Sequence, residues 1–305
     1  MQTDIPPPGG LWLPLVTPFR DGVLDEASLR RLVHHYAGEP IDGLILAATT
    51  GEGLTLDEAE TERLVALVTA ELGAIGTDPA GLPGPVRQRH AQARQGGGAY
   101  GDMAARRLLI ACPYYTRPSQ DGMVRHFSLL AEATTRPIVI YNIPYRTGVN
   151  LGNEAMLKLA ACPNIVGVKD CSADAAQSVD LLRRRPPGFA VLTGEDALLH
   201  PMLTEGADGG VVASAHVATR SFSAVQTLLR DGNGPGAAAA WETVRHLTPL
   251  LFAEPSPAPI KHWLWRTGLI DSPEVRLPML PVSEPLGAQI GREVERLHAG
   301  ASPVV

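Results

Sequence analysis

Three groups of chemistry-bearing residues close short apolar runs in this chain. In Val166-Gly167-Val168-Lys169-Asp170 a lysine ends the run, where poor hydration disfavours its charged form and frees the amine to attack a ketone. Taken alone, a lysine in that place is more often a solvated strand end. In Tyr141-Asn142-Ile143-Pro144-Tyr145-Arg146-Thr147-Gly148 a phenol that can relay protons stands five residues before a guanidinium, whose planar fork suits a carboxylate. The plainer readings are a satisfied core tyrosine and a surface ion pair. Ala48-Thr49-Thr50-Gly51-Glu52-Gly53 offers two hydroxyls and exposed turn amides, suited to the carboxylate of an α-keto acid, although small residues in a turn are common.

Positioning these residues requires strands. Nearly continuous apolar runs span Leu11 to Val16, Gly43 to Ala48, Leu108 to Cys112, Pro137 to Tyr141, Ile165 to Lys169, Ala190 to Thr193 and Gly210 to Ala213, as strands covered on both faces should. Segments of helical period lie between them. Thr55 and Glu58 are spaced as a capping box before Leu64, Leu67, Val68 and Leu72, and Ser172 is placed to cap Ala175 to Leu182. The alternation predicts an α/β fold, a (β/α)8 TIM barrel over residues 1–230, in preference to a doubly wound sheet. Residues 231–305, with helical patterns at Gly236 to Leu251 and Pro259 to Gly268, form a C-terminal helical appendix. One strand is missing, between Gly73 and Arg107. There residues 76–103 show neither strand nor helix period and stand where a third strand and its helix are expected.

Composition narrows the function classes. With 305 residues and 45% hydrophobic content the chain fills a sizeable core, and a net charge of −6 gives no basic face for nucleic acid or an anionic membrane. No apolar run reaches the ~20 residues of a spanning helix, and the N-terminus lacks a basic-then-apolar signal. Cys112, Cys162 and Cys171 are odd in number and lack metal-ligand spacing, which fits a reducing cytoplasm. Gly194-Glu195-Asp196 reads as a helix start, with no metal expected. Small-molecule substrates are the expected partners.

Taken together, the ordered motifs GLWLPLVTPF from Gly10, TTGEG, Pro113-Tyr114-Tyr115, YNIPYRTG, GVKD, Gly194-Glu195-Asp196 and Arg276-Leu277-Pro278-Met279 resemble the dihydrodipicolinate synthase and N-acetylneuraminate lyase family of class I pyruvate-dependent aldolases. The resemblance implies a tetramer of tight dimers and no cofactor beyond a covalent imine of pyruvate on Lys169. It also implies that Tyr141 carries protons beside that lysine, with Thr49 and Tyr115 completing a hydroxyl relay and Tyr115 reaching into the neighbouring subunit. Thr50 and the backbone near Val212 would hold the pyruvate. Arg146 stands where the synthases keep an arginine for the carboxylate of aspartate semialdehyde, so condensation of pyruvate with L-aspartate 4-semialdehyde, feeding lysine synthesis, is the expected reaction. The bulk of Tyr145 and the Cys171-Ser172 pair depart from the synthase pattern. A retro-aldolase or dehydratase of a 2-keto-3-deoxy sugar acid or sialic acid therefore stays open, as does an inactive barrel. Glu58, at the place of a histidine in lysine-inhibited members, implies weak or absent feedback inhibition.

The resemblance also bears on residues 76–103. Codons for LPGPVRQRHAQARQGGGAYGDM, read one base later, can spell LGLSGSDTRKLVKAVALTATW, which is similar to the family's third strand and helix. Paired compensating frameshifts are the expectation drawn from this, and resequencing the gene decides it: codons incompatible with the shifted string would exclude them.

Overall fold

The computed structural model describes residues 6–75, 86–89 and 106–300. Eight parallel strands close into a barrel in chain order: β1 (Gly10–Pro14), β2 (Gly43–Leu46), β3 (Val86–Arg89), β4 (Arg107–Ala111), β5 (Ile138–Asn142), β6 (Ile165–Asp170), β7 (Ala190–Thr193) and β8 (Gly209–Val211). Closure runs through β1 and β8, with Trp12 registered on Val211. Alternate residues face opposite sides. Trp12, Ile45, Leu109, Val139, Tyr141, Val166, Leu192 and Val211 pack together inside the barrel, while Leu11, Leu44, Leu108, Ile110, Ile140 and Val191 face the helical layer. In the seven strands other than β3 both faces are buried, so these read as unbroken apolar runs.

The third strand corrects the sequence reading. Val86–Arg89 pairs with Ile45 and Leu46 on one side and with Arg107 to Ile110 on the other. A parallel ladder is made of backbone N–H and C=O groups, and two flanking strands with unpaired edges can template a segment that has no apolar period of its own. The expected loss of a strand from residues 76–103 is thus not observed. The remainder of that segment, and with it the shifted-frame reading and the helix that was expected there, lies outside the described residues.

Around the barrel run α1 (Glu26–Ala37), α2 (Glu58–Ala74), α3 (Gln120–Glu132), α4 (Asn153–Leu159), α5 (Ala175–Arg184), α6 (Leu199–Thr204) and α7 (Ala215–Arg230). Two caps differ from expectation. Asp57, not Thr55, caps α2, in a reciprocal box with Glu60, because the Thr55 hydroxyl is spent on the Glu52 carbonyl at 2.9 Å. Asp174, not Ser172, caps α5 by accepting from the Gln177 amide.

Beyond the barrel come α8 (Gly234–Val244), α9 (Leu247–Leu251), α10 (Ala258–Arg266) and α11 (Glu284–Gly300). The single pattern expected from Gly236 to Leu251 is therefore two helices, and α11 is an addition. These helices build no separate core. Trp241, Leu247, Ile260, Trp263, Leu286 and Ile290 belong to the same cluster as Leu29, Leu64 and Phe222 of the barrel helices. No helix among the described residues is long and apolar enough to cross a membrane.

Candidate active site

The C-terminal strand ends gather the residues singled out from the sequence. Tyr141, Lys169 and Leu192 are registered side by side on β5, β6 and β7, which aims all three at the barrel interior. The Lys169 amine lies 4.1 Å from the centre of the Tyr141 ring, and Lys169 is only 6% exposed. Gly194, just past β7, leaves room for it: a Cβ there would fall 2.4 Å from both Lys169 Cε and Cys171 Sγ.

Burial dominates the electrostatics. It lowers the Lys169 pKa from the usual lysine value, against the opposing influence of Cys171, Asp196 and Glu195 and with the help of Arg146. The same cause pushes the Tyr141 phenol and the Cys171 thiol well above their ordinary values. At neutral pH, then, the site holds a lysine biased toward its free amine beside a protonated phenol. A pH consequence follows with a definite sign. An amine whose pKa is depressed becomes nucleophilic at lower pH than an exposed lysine, so pyruvate-dependent inactivation by borohydride should rise with pH through an apparent pKa below 10.5. A limb at the ordinary lysine value, measured by the pH dependence of the inactivation rate, would contradict the burial.

Two acidic residues complete the floor and rim. Asp196 is buried, and its carboxylate accepts the amides of Ala213 at 3.2 Å and Ser214 at 2.5 Å, while burial raises its pKa. It thereby fixes the chain after β8. Val212 is fully buried and donates its own N–H to the Trp12 carbonyl at 3.0 Å. With three successive amides committed, the backbone of residues 212–214 can meet a ligand only through its carbonyls. Glu195 accepts the Tyr145 hydroxyl at 2.9 Å, and the same carboxylate helps keep the Cys171 thiol protonated. Asp196, a helix start by its sequence, does begin a 3₁₀ turn. Its charge beside Lys169 carried no local signal.

Thr49 and Thr50 lie in the loop after β2, with Thr50 buried. The loop is forced into shape. Ala47 and Glu52 both adopt left-handed backbone, φ 51 and 52, a conformation costing roughly 1–3 kcal/mol at a non-glycine residue. A Cβ on Gly53 would fall 2.0 Å from the Ala47 carbonyl, so only glycine fits there. Arg146 sits exposed on a short turn, Pro144–Thr147, its guanidinium 5.7 Å from the Tyr145 ring. Tyr115 lies at the surface. It is 91% exposed, with φ 71.

A family model described as the dihydrodipicolinate synthetase family matches residues 7–297. The chain is 39% identical over 284 residues to 4-hydroxy-tetrahydrodipicolinate synthase 2 of Clostridium acetobutylicum, covering 93% of this chain and 98% of that protein. A 4-hydroxy-tetrahydrodipicolinate synthase of Sorangium cellulosum is 38% identical over 298 residues, 96% and 97% of the two chains. Among solved structures, dihydrodipicolinate synthase from Thermotoga maritima superposes with a TM-score of 0.86 at 29% identity, covering 95% of this chain and 98% of that one.

Proposed function

The chain belongs to the dihydrodipicolinate synthetase family, of the class I aldolase type of lyase, and we propose that it condenses pyruvate with L-aspartate 4-semialdehyde through an imine on Lys169. The observation that carries this reading is the buried Lys169 amine held over the Tyr141 ring at the barrel mouth. The neutral amine attacks the ketone carbon of pyruvate, and the carbinolamine loses its hydroxyl as water to give the imine. Loss of a methyl proton then yields the enamine that attacks the aldehyde. Tyr141 is the proton carrier nearest the imine, with Thr49 and Tyr115 as the rest of the relay. Thr50 holds the pyruvate carboxylate, and the carbonyl side of Val212 lines the same pocket.

The exposure and left-handed backbone of Tyr115 support a role outside its own barrel, reaching into the site of a second copy within a homotetramer built as a dimer of dimers. No cofactor enters the proposed reaction: the electron sink is the imine itself.

Arg146 sets the second substrate in this reading. Its charge is exposed at the rim and felt by Lys169 and Tyr141, so a carboxylate on the incoming aldehyde meets it before reaching the enamine. Arg146→Ala should raise the KM for aspartate semialdehyde by at least about tenfold and slow pyruvate trapping on Lys169 far less, since the guanidinium is a minor contributor beside burial in lowering the lysine pKa. Steady-state kinetics with each substrate varied check this, and an unchanged aldehyde KM refutes the assignment. One observation favours a second reading, cleavage or dehydration of a 2-keto-3-deoxy sugar acid: the Tyr145 and Glu195 pair puts a hydroxyl and a carboxylate at the rim, both able to bind sugar hydroxyls. Turnover of the two substrate classes side by side decides between them. Faster turnover of the sugar acid would displace the synthase reading.

A further inference from the structure

We propose that Lys261, on a C-terminal helix remote in sequence, is a positioning residue for the pyruvate-binding loop, acting through the buried carboxylate of Glu52. The inference rests on the reading that Thr49 and Thr50 serve pyruvate.

Glu52 follows Thr50 by two residues, and its side chain is 2% exposed while that of Lys261 is 0% exposed. The Lys261 amine donates to Glu52 Oε1 at 2.5 Å and to the Glu274 carbonyl at 2.6 Å. The other carboxylate oxygen, Oε2, accepts the Arg276 amide at 2.8 Å. Both oxygens are therefore held by the C-terminal region, from α10 and from the segment that follows it. The Arg276 side chain ties the same segment down, bonding Glu60 with both terminal nitrogens and the Thr55 carbonyl at 2.9 Å. Phe19 sits between the two cations, its ring 4.4 Å from the Lys261 amine and 4.1 Å from the Arg276 guanidinium.

A fully buried ion pair is a poor way to gain stability, since apolar residues of the same volume do as well or better, and its best-attested use is to select one arrangement. Here the arrangement selected is a strained one. Glu52 holds left-handed backbone, its amide donates to the Thr49 carbonyl at 3.1 Å, and the Thr17 hydroxyl holds the Gly51 carbonyl at 2.7 Å. Strain of this kind persists only where the surroundings over-determine it. The loop's own residues supply part of that constraint, and the side chain of Glu52 supplies the rest only while its carboxylate is anchored. Burial lowers the Lys261 pKa to about 8, which agrees with an amine kept charged at neutral pH by its partner rather than by water. The C-terminal helices thereby act on the site without contributing a residue to it.

The test is a kinetic split. Lys261→Met keeps the length of the side chain and removes the charge. It should raise the pyruvate KM by at least about tenfold and slow borohydride trapping at low pyruvate in proportion, while saturating pyruvate still labels Lys169. Trp263→Leu, on the same helix and away from Glu52, should lower the melting temperature and keep the wild-type KM. If Lys261→Met does not fold, Glu52→Gln/Lys261→Met carries the test, because it removes the unpaired charge. Its KM should lie between about threefold and tenfold above wild type. A folded variant of either kind with the wild-type KM overturns the inference, as does a Trp263→Leu chain whose KM rises as far as that of Lys261→Met. Absence of a Lys169 adduct in the wild-type chain sinks the reading of the site and this inference together. An adduct in the wild type with no KM change in the variants sinks the inference alone.

Discussion

Lys169→Ala should abolish the pyruvate-dependent borohydride adduct and lower turnover by at least about 10³-fold, equivalent to roughly 4 kcal/mol of lost transition-state stabilisation. The size of the effect follows from the absence of any substitute. The chain has three lysines, Lys158, Lys169 and Lys261. The side chain of Lys158 is 66% exposed and 4.0 Å from an Asp121 oxygen, at the surface on α4 and away from the strand ends. Lys261 is enclosed and committed to Glu52. Only Lys169 combines burial with a place at the strand ends, where its amine lies over the Tyr141 ring. Intact-mass measurement after reduction reads the adduct directly, and peptide mapping locates it. Labelling of the Lys169→Ala chain at the wild-type rate would move the chemistry to another residue. Lys169→Arg separates charge from nucleophilicity, since a guanidinium keeps the charge and forms no imine, and it should be as inactive as the alanine variant.

Seven of the eight strands were legible because both of their faces are buried, so each announces itself as an apolar run regardless of register. The run Ala190 to Thr193 matches its strand to the residue, and the others differ at their ends by one or two residues. Residues such as Ala48, Cys112 and Ala213 are buried but lie past the last residue of their strands, and hydrophobicity does not distinguish the two conditions. Helix ends failed for a different reason. Thr55 and Ser172 have the chemistry of caps, but Thr55 bonds back to Glu52 and Ser172 accompanies Asp170, whose Oδ1 accepts its amide. Helix α11 was missed because Gly287 and Gly291 interrupt the helical signal, although Leu286, Ile290 and Val294 fall four residues apart on one face.

In the proposed site, Lys169, Tyr141, Thr50 and Arg146 stand out in the sequence because each ends or follows a strand, and in a parallel barrel those positions converge. The buried contacts of Glu52, Asp196 and Lys261 were not readable. Each is a buried charge whose partner is distant in the chain, 209 residues away for Glu52 and Lys261, and nothing local distinguishes such a residue from a solvated one. Val86–Arg89 marks the opposite limit, a strand specified by its neighbours' edges rather than by its own side chains.

Tyr141→Phe tests the proton transfer separately from the imine. Removal of the hydroxyl leaves the ring in place over the Lys169 amine, so the burial that lowers the lysine pKa is kept. Turnover should nevertheless fall by about 10²- to 10⁴-fold, the range typical of losing a positioned general acid or base. Burial holds the Tyr141 phenol well above its ordinary pKa, so at neutral pH it enters the reaction as a donor. Its first task is then to protonate the departing hydroxyl of the carbinolamine, and it can take up a methyl proton only after giving its own away. The variant should therefore form the Lys169 adduct slowly but to completion, in contrast to Lys169→Ala, which forms none. Single-turnover trapping alongside steady-state rates separates the two behaviours. A Tyr141→Phe chain that matches the wild type in both would assign the proton transfer to another group, and Thr49 and Tyr115 would lose the residue that links them to the imine.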